Sequence, residues 1–305
     1  MLIHKASHFP PAHGYVTTRP VAGSLYPTDY TFVLTQDELY VPIAVRKPSG
    51  TGPFPAILMG RGNGRGGMPL IEQKLALYHH FQECLLRRGY VVVYVNYRHE
   101  IPHYYGVRPQ TPSVEAHLSG ESLTLQATPR VDSDDLQSVI HYIQTLPYVR
   151  AQSVGVMGVS HGGETLLKAA AEMNFGCGVV IEGASHEFLS VHTGPEIARI
   201  DGEIQFQDIA VVKQWTNKAR ALSRLRAIHT PMLHIGRDKD HLQGIFKLAH
   251  EWMSELGKDS QWVSFDHPTH GYPFIETDEK GQFNPDPMQQ NCLDLILNYL
   301  DHHLG

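Results

Sequence analysis

Ser160 stands in Gly158-Val159-Ser160-His161-Gly162-Gly163, a G-x-S-x-G run with a further glycine behind it. An aliphatic hydroxyl is a weak nucleophile near neutral pH, so chemistry at this serine requires an imidazole to take its proton and a carboxylate to orient that imidazole. The run follows the apolar stretch Val154-Gly155-Val156-Met157 and precedes a helix-forming stretch from Glu164 to Glu172. Strand, tight turn and helix together are the setting of a nucleophile elbow, in which small flanking residues let the hydroxyl project above the strand end. The N–H of His161 and the positive end of the following helix then face any oxyanion that forms there.

The chain has 20 histidines, so a histidine downstream proves nothing by itself. Position selects His270, in Thr269-His270-Gly271-Tyr272 after the last apolar run, and the glycine beside it permits close backbone approach. His267 is the competitor. The carboxylate is expected after the preceding strand, where Gly236-Arg237-Asp238-Lys239-Asp240-His241 offers Asp240 first and Asp238 second. Glu182, at the end of Val179-Val180-Ile181, is a third candidate that could equally line a substrate pocket. A second oxyanion donor is expected from Gly60-Arg61-Gly62-Asn63-Gly64-Arg65-Gly66-Gly67, through the N–H of Gly62 or Asn63. That turn lacks the Lys-Ser/Thr ending of a phosphate loop and the glycine spacing of a dinucleotide fingerprint, so no cofactor is expected.

These residues need a scaffold that brings loop ends together. Ala56-Ile57-Leu58-Met59, Val91 to Val95, Val154 to Met157, Val179 to Ile181, Met232 to Ile235 and Trp262 to Phe265 are short apolar runs without alternation, as in strands buried on both faces. Phe32-Val33-Leu34 and Leu39 to Val45 read as a hairpin, and Pro42 suggests an edge position for it. Helical spacing spans Leu75 to Leu86, Leu136 to Leu146, Ile245 to Leu256 and Cys292 to Leu300, with capping chemistry at Asp132, Ser133 and Asp134. The expectation is one α/β domain over residues 1–305: a mostly parallel sheet of about eight strands with helices on both faces. Two stretches break the alternation: a long loop at about 100–129, and a helical cap or lid insertion at about 187–226 that includes Ile209 to Leu225.

A formal net charge of −6 with no basic block argues against nucleic acid as a partner. Cys84, Cys177 and Cys292 are far apart and read as buried free thiols. The histidine pairs His79-His80 and His302-His303 point in different directions on helices, so no metal pair is expected, and Asp238, Asp240 and His241 are read as a solvated loop rather than a cation site. With no secretory-type or membrane-length apolar run in the sequence, a cytoplasmic location without a membrane partner is expected.

Phe54-Pro55-Ala56-Ile57-Leu58, Tyr94-Val95-Asn96-Tyr97-Arg98, Asp135-Leu136, the serine run, Lys239-Asp240-His241 and His270-Gly271-Tyr272 together resemble the α/β-hydrolase superfamily. Within it they look most like the dienelactone hydrolase and prolyl oligopeptidase branch, from about residue 30 onward. The resemblance implies the α/β-hydrolase fold and a Ser-Asp-His triad, and it supports Asp240, because the Lys-Asp-His step is similar to the branch's acid loop. The chain departs from the branch in having Arg61-Gly62 where a His-Gly or Tyr-Gly pair is common, and a serine where dienelactone hydrolase proper has a cysteine. The short stretch before the hairpin holds no β-propeller, which tilts the expectation towards small esters. The expected activity is therefore hydrolysis of a small carboxylic ester through an acyl-enzyme. An aminopeptidase or amidase acting on short peptides is the alternative, with Glu182, Glu187 or Arg98 capturing a peptide terminus. A non-catalytic binding protein on the same fold would be marked by a missing triad member.

Overall fold

The computed structural model describes residues 16–60, 67–97, 129–274, 278 and 282–305. The runs of β-branched residues form β4 (Phe54–Gly60), β5 (Val91–Val95), β6 (Val149–Val159) and β7 (Cys177–Ile181), and later β10 (Met232–Arg237) and β11 (Ser260–Phe265). Every residue of β5 and β7 is buried, which is why these strands carry no polar alternation. The amino-terminal part supplies β1 (Thr17–Arg19), β2 (Thr28–Leu34) and β3 (Tyr40–Arg46), and a separate ribbon is made by β8 (Arg199–Ile200) and β9 (Glu203–Ile204). The main sheet has nine strands among the described residues, in the order β1-β2-β3-β5-β4-β6-β7-β10-β11. From β5 to β11 all neighbours run parallel, while β1, β2 and β3 are joined by antiparallel ladders.

The expected hairpin is present, with Phe32 opposite Pro42, but it does not lie at an edge, because β3 sits between β2 and β5. Pro42 accepts a hydrogen bond from the Asn96 N–H at 3.2 Å, and a strand residue's nitrogen and carbonyl face the same neighbour. Its missing N–H therefore falls just beyond the β3–β5 ladder, which runs from Ile43 to Arg46. A strand end tolerates proline for the same reason an edge does.

Helices cover both faces. On one, α1 (Gly67–Leu77), α2 (His79–Arg87) and α8 (Pro287–Leu304) bury Ile71, Phe81, Leu85, Leu293, Ile296 and Leu300. On the other, α3 (Pro129–Thr145), α4 (His161–Glu172) and α7 (Gln243–Glu255) bury Leu136, Ile140, Leu166, Ile245 and Trp252. The single helix expected over Leu75 to Leu86 is divided at Tyr78, although hydrogen bonds from Tyr78 to Lys74 and from Gln82 to Tyr78 run through the break. The segment after β7 holds the ribbon, α5 (Ile209–Gln214) and α6 (Lys218–Ala227). Phe188, Leu189, Phe206, Val212 and Leu225 join the core beneath α4 and α7. The loop expected at about 100–129 lies outside the described residues, apart from the first residue of α3.

The chain passes from β4 outward to β5, then returns across β4 to lay down β6, so the direction of winding reverses between β4 and β6. Such a reversal opens a crevice at the carboxyl ends of the two strands, which is where Ser160 follows β6. Cys177 and Cys292 are buried free thiols, each pushed up to about 12 by burial, and Cys84 is a partly buried one. Among the described residues no helix is long and apolar enough to cross a membrane.

One core residue carries a pH dependence. His234, in the middle of β10, is buried with no hydrogen-bond partner for Nε2 among the described residues, and burial, followed by the nearby His250, pushes it down to about 3 from the ordinary 6.5. Its neutral form supports the fold fully above pH 6.5, and that support is lost as pH falls towards 3. At pH 4 this amounts to about 3 kcal/mol. Urea titrations at pH 7 and pH 4 should show the difference in unfolding free energy shrinking by about that amount in His234→Leu; an undiminished difference would mean that this imidazole is not the group being protonated.

Candidate active site

The turn after β6 is tight because its glycines leave no room for anything larger. A Cβ on Gly158 would run into the carbonyl of Gly162, and one on Gly163 would lie 2.8 Å from the Cα of Gly183. Ser160 is held at φ 55° and ψ −119°, a conformation that L-residues rarely adopt and that costs on the order of 1–3 kcal/mol. Backbone bonds hold it there. Its N–H donates to Ile181 at 2.9 Å, and its carbonyl accepts from Gly163 at 3.0 Å and from Ala184 at 3.2 Å. The elbow is thus tied to the end of β7 from both sides, and α4 begins directly at His161.

Glu182 follows β7 in a left-handed conformation (φ 46°), and its N–H donates to Ile235 of β10 at 2.7 Å. Its carboxylate is fully buried and serves three donors: the Gly271 N–H at 3.0 Å, the Arg237 Nε at 3.3 Å and His270 Nδ1 in a short ion-pair contact. With Nδ1 bonded to the carboxylate, the ring hydrogen of neutral His270 resides on Nδ1 and Nε2 keeps its lone pair for a proton. The imidazole is about half exposed, at 49%, so Nε2 is within reach of solvent or substrate. The hydrogen bond to Glu182 raises its pKa; burial opposes this, the charges of Glu182 and Asp240 reinforce it, and Arg237 opposes it. The loop carrying His270 reaches the elbow: a Cβ on Gly271 would be 3.5 Å from Cγ2 of Val159, the residue before Ser160.

Four successive strands, β6, β7, β10 and β11, therefore deliver a strained serine, a buried carboxylate, a guanidinium and a half-exposed imidazole to one end of the sheet. No family model and no curated protein matches the sequence. Solved structures do. The dipeptidyl peptidase 4 of Porphyromonas gingivalis superposes with a TM-score of 0.59 at 18% identity, over 92% of this chain and 36% of that one. The acylaminoacyl peptidase of Pyrococcus horikoshii gives 0.60 at 16% identity, over 92% of this chain and 42% of that one. Carboxyl esterase 2 of the mycorrhizal fungus Tuber melanosporum gives 0.61 at 16% identity, over 93% of this chain and 89% of that one. The chain has the α/β-hydrolase fold. It spans well under half the length of the two peptidases and most of the length of the esterase.

On the α/β-hydrolase sheet the expected site residues fall as follows. Ser160, His161 and His270 lie at the carboxyl end of the strands, whereas Gly62 and Asn63 lie outside the described residues. The carboxylate against His270 Nδ1 is that of Glu182, not that of Asp240 or Asp238. Asp240, 3% exposed, accepts from the Leu242 N–H at 2.7 Å and pairs with Arg237, so its oxygens are directed at its own loop. Asp238 accepts from Ser264 at 2.5 Å. His267 is spent structurally, between Asp286 at 2.8 Å and the Thr269 N–H at 3.0 Å. Ligand atoms of Glu182, Asp240 and His270 lie within 4.8 Å of one another, a spacing suited to a divalent cation, but Arg237 already joins both carboxylates and supplies the positive charge there.

Two further residues bear on the α/β-hydrolase elbow that the sequence had not marked as part of the site. Arg237 is one, the last residue of β10, just before the loop that holds the two aspartates. The other is Asp132, read there as a cap. It lies instead inside the first turn of α3, fully buried, with Oδ2 2.5 Å from Nε2 of His161. That contact fixes the ring of the residue that follows Ser160, and the Tyr97 ring lies edge-on to it at 6.1 Å. The packing at Gly158 yields a direct expectation. Gly158→Ala must displace the Gly162 backbone and open the turn, lowering the unfolding free energy by about 2 kcal/mol, read from urea-induced unfolding; a variant as stable as the parent would show that the turn has slack.

Proposed function

We propose that the chain is a serine hydrolase that cleaves carboxylic esters through an acyl-enzyme, with Ser160 as nucleophile, His270 as acid–base and Glu182 as the carboxylate behind it. The observation that carries this reading is the contact of fully buried Glu182 with His270 Nδ1, in a loop that packs on the residue before Ser160. His270 Nε2 takes the hydroxyl proton as Ser160 Oγ bonds to the ester carbonyl carbon. The carbonyl oxygen becomes an oxyanion facing the His161 N–H and a second N–H from the turn after β4, where Gly62 and Asn63 are the candidates. Collapse breaks the carbon–alkoxy bond, and the imidazolium returns its proton to the departing alcohol. Water then repeats the sequence on the acyl-serine, releasing acid and free enzyme. No step calls for a cofactor or a metal.

Esters are preferred to peptides because the acidic groups considered for capturing a peptide amine are engaged elsewhere, Glu182 by His270 and Glu187 by Lys168 at 2.9 Å. Arg98 lies outside the described residues.

Ser160→Ala should abolish turnover of short-chain p-nitrophenyl esters, and a fluorophosphonate probe should label Ser160 in the parent. Undiminished turnover or labelling elsewhere would remove the reading, and faster cleavage of aminoacyl-naphthylamides than of esters would replace esterase by amidase. The pH profile gives a second check. The reaction needs unprotonated His270, so kcat/KM should fall as pH drops through a pKa above the ordinary 6.5. Glu182→Gln removes the largest raising influence, so the acid limb should move to lower pH, with kcat reduced by about 10³–10⁴-fold.

A further inference from the structure

Arg237 makes contacts that its place in the sequence does not explain. Its Nε donates to Glu182 at 3.3 Å, Nη2 to Asp240 in a short contact, and Nη1 to the carbonyl of Pro268 at 3.2 Å. One planar group thus joins the end of β7, the loop after β10 and the loop that carries His270. The two carboxylates it bridges are almost entirely buried with oxygens within 4.8 Å of one another, so a cation between them offsets their mutual repulsion. A guanidinium suits the task because its charge is permanent and its donors form a rigid fork. The Pro268 contact is of a different kind. It lies two residues before His270, so it acts on the placement of the imidazole rather than on charge.

We propose that Arg237 is the positioning residue of this centre, a clamp that fixes the His270 loop against Glu182, and that Asp240 is the second, charge-setting carboxylate of the same unit. The inference rests on the proposed roles of Ser160, His270 and Glu182. The charged groups acting on His270 are Glu182 at the end of β7, Asp240 in the loop after β10, and Arg237 on β10 itself. Asp240 favours the imidazolium and Arg237 disfavours it, so removing each should move His270 in opposite directions.

The test titrates His270 by NMR in the full-length protein and, in parallel, measures pH profiles of kcat and kcat/KM on a p-nitrophenyl ester. Arg237→Gln should move the His270 titration and the acid limb of kcat/KM to higher pH, with kcat down by about 10–100-fold and KM within about twofold. Asp240→Asn should move both to lower pH. Arg237→Lys restores the charge without the fork, so the acid limb should return towards that of the parent while kcat stays reduced. A titration unmoved in Asp240→Asn, or moved the same way in Asp240→Asn and Arg237→Gln, overturns the proposal, as does full kcat in Arg237→Lys. Should Arg237→Gln not fold, Asp240→Asn and Arg237→Lys decide the matter. The NMR titration needs no turnover, so ester hydrolysis that proved independent of Ser160 would defeat the functional reading while the clamp was still being read.

Discussion

A carboxylate with no solvent access is the constraint around which this end of the molecule is arranged. Ionised Glu182 would cost several kcal/mol to bury alone, and it is tolerated because three donors converge on it. Those donors come from different parts of the chain: the Gly271 amide, the Arg237 guanidinium and the His270 imidazole. Satisfying one buried charge therefore fixes the loop after β11 relative to β7 and β10. The same contact fixes the tautomer of His270, so loop position and proton chemistry share a single cause.

Strain at the elbow is carried by the same neighbourhood. Ser160 and Glu182 both hold positive φ, each a cost on the order of 1–3 kcal/mol. Hydrogen bonds link the two turns, Ser160 donating to Ile181 and Ala184 donating to Ser160, and the Glu182 N–H ties the second turn to Ile235 of β10. The glycine contact between Gly163 and Gly183 lets the two turns approach closely enough for these bonds. Neither turn could relax without breaking the other's support, so geometry rather than local preference keeps the serine raised.

The sheet was legible in the sequence because parallel strands buried on both faces leave an unmistakable composition, and Val91–Val95 was located to the residue. The elbow was legible because steric exclusion at Gly158 and Gly163 leaves few alternatives. Helix ends were less so. α8 begins at Pro287, five residues before the expected Cys292, although Asp286, Pro287 and Gln289 spell a capping box with proline at the first turn. The extra strands belong to the amino-terminal edge and to a two-residue ribbon, too short to register as patterns.

Which carboxylate meets His270 was not legible, and the reason is physical. Glu182 follows β7, the neighbour of β6, and Asp240 follows β10, the next strand out, so order along the chain admits either. What separates them is reach and competition. Glu182 is one methylene longer and leaves its strand at a left-handed kink, whereas Asp240 is held by Leu242 and Arg237 in its own loop. An arginine three residues before an aspartate is a weak pattern in a sequence, since most such pairs lie on solvated surfaces. Here the pair is buried beside a second carboxylate, and burial turns an ordinary spacing into the feature that decides which acid reaches the histidine. The distinction between the two acids is thus a property of the assembled strand ends, where one guanidinium joins both carboxylates and only that of Glu182 also meets the imidazole.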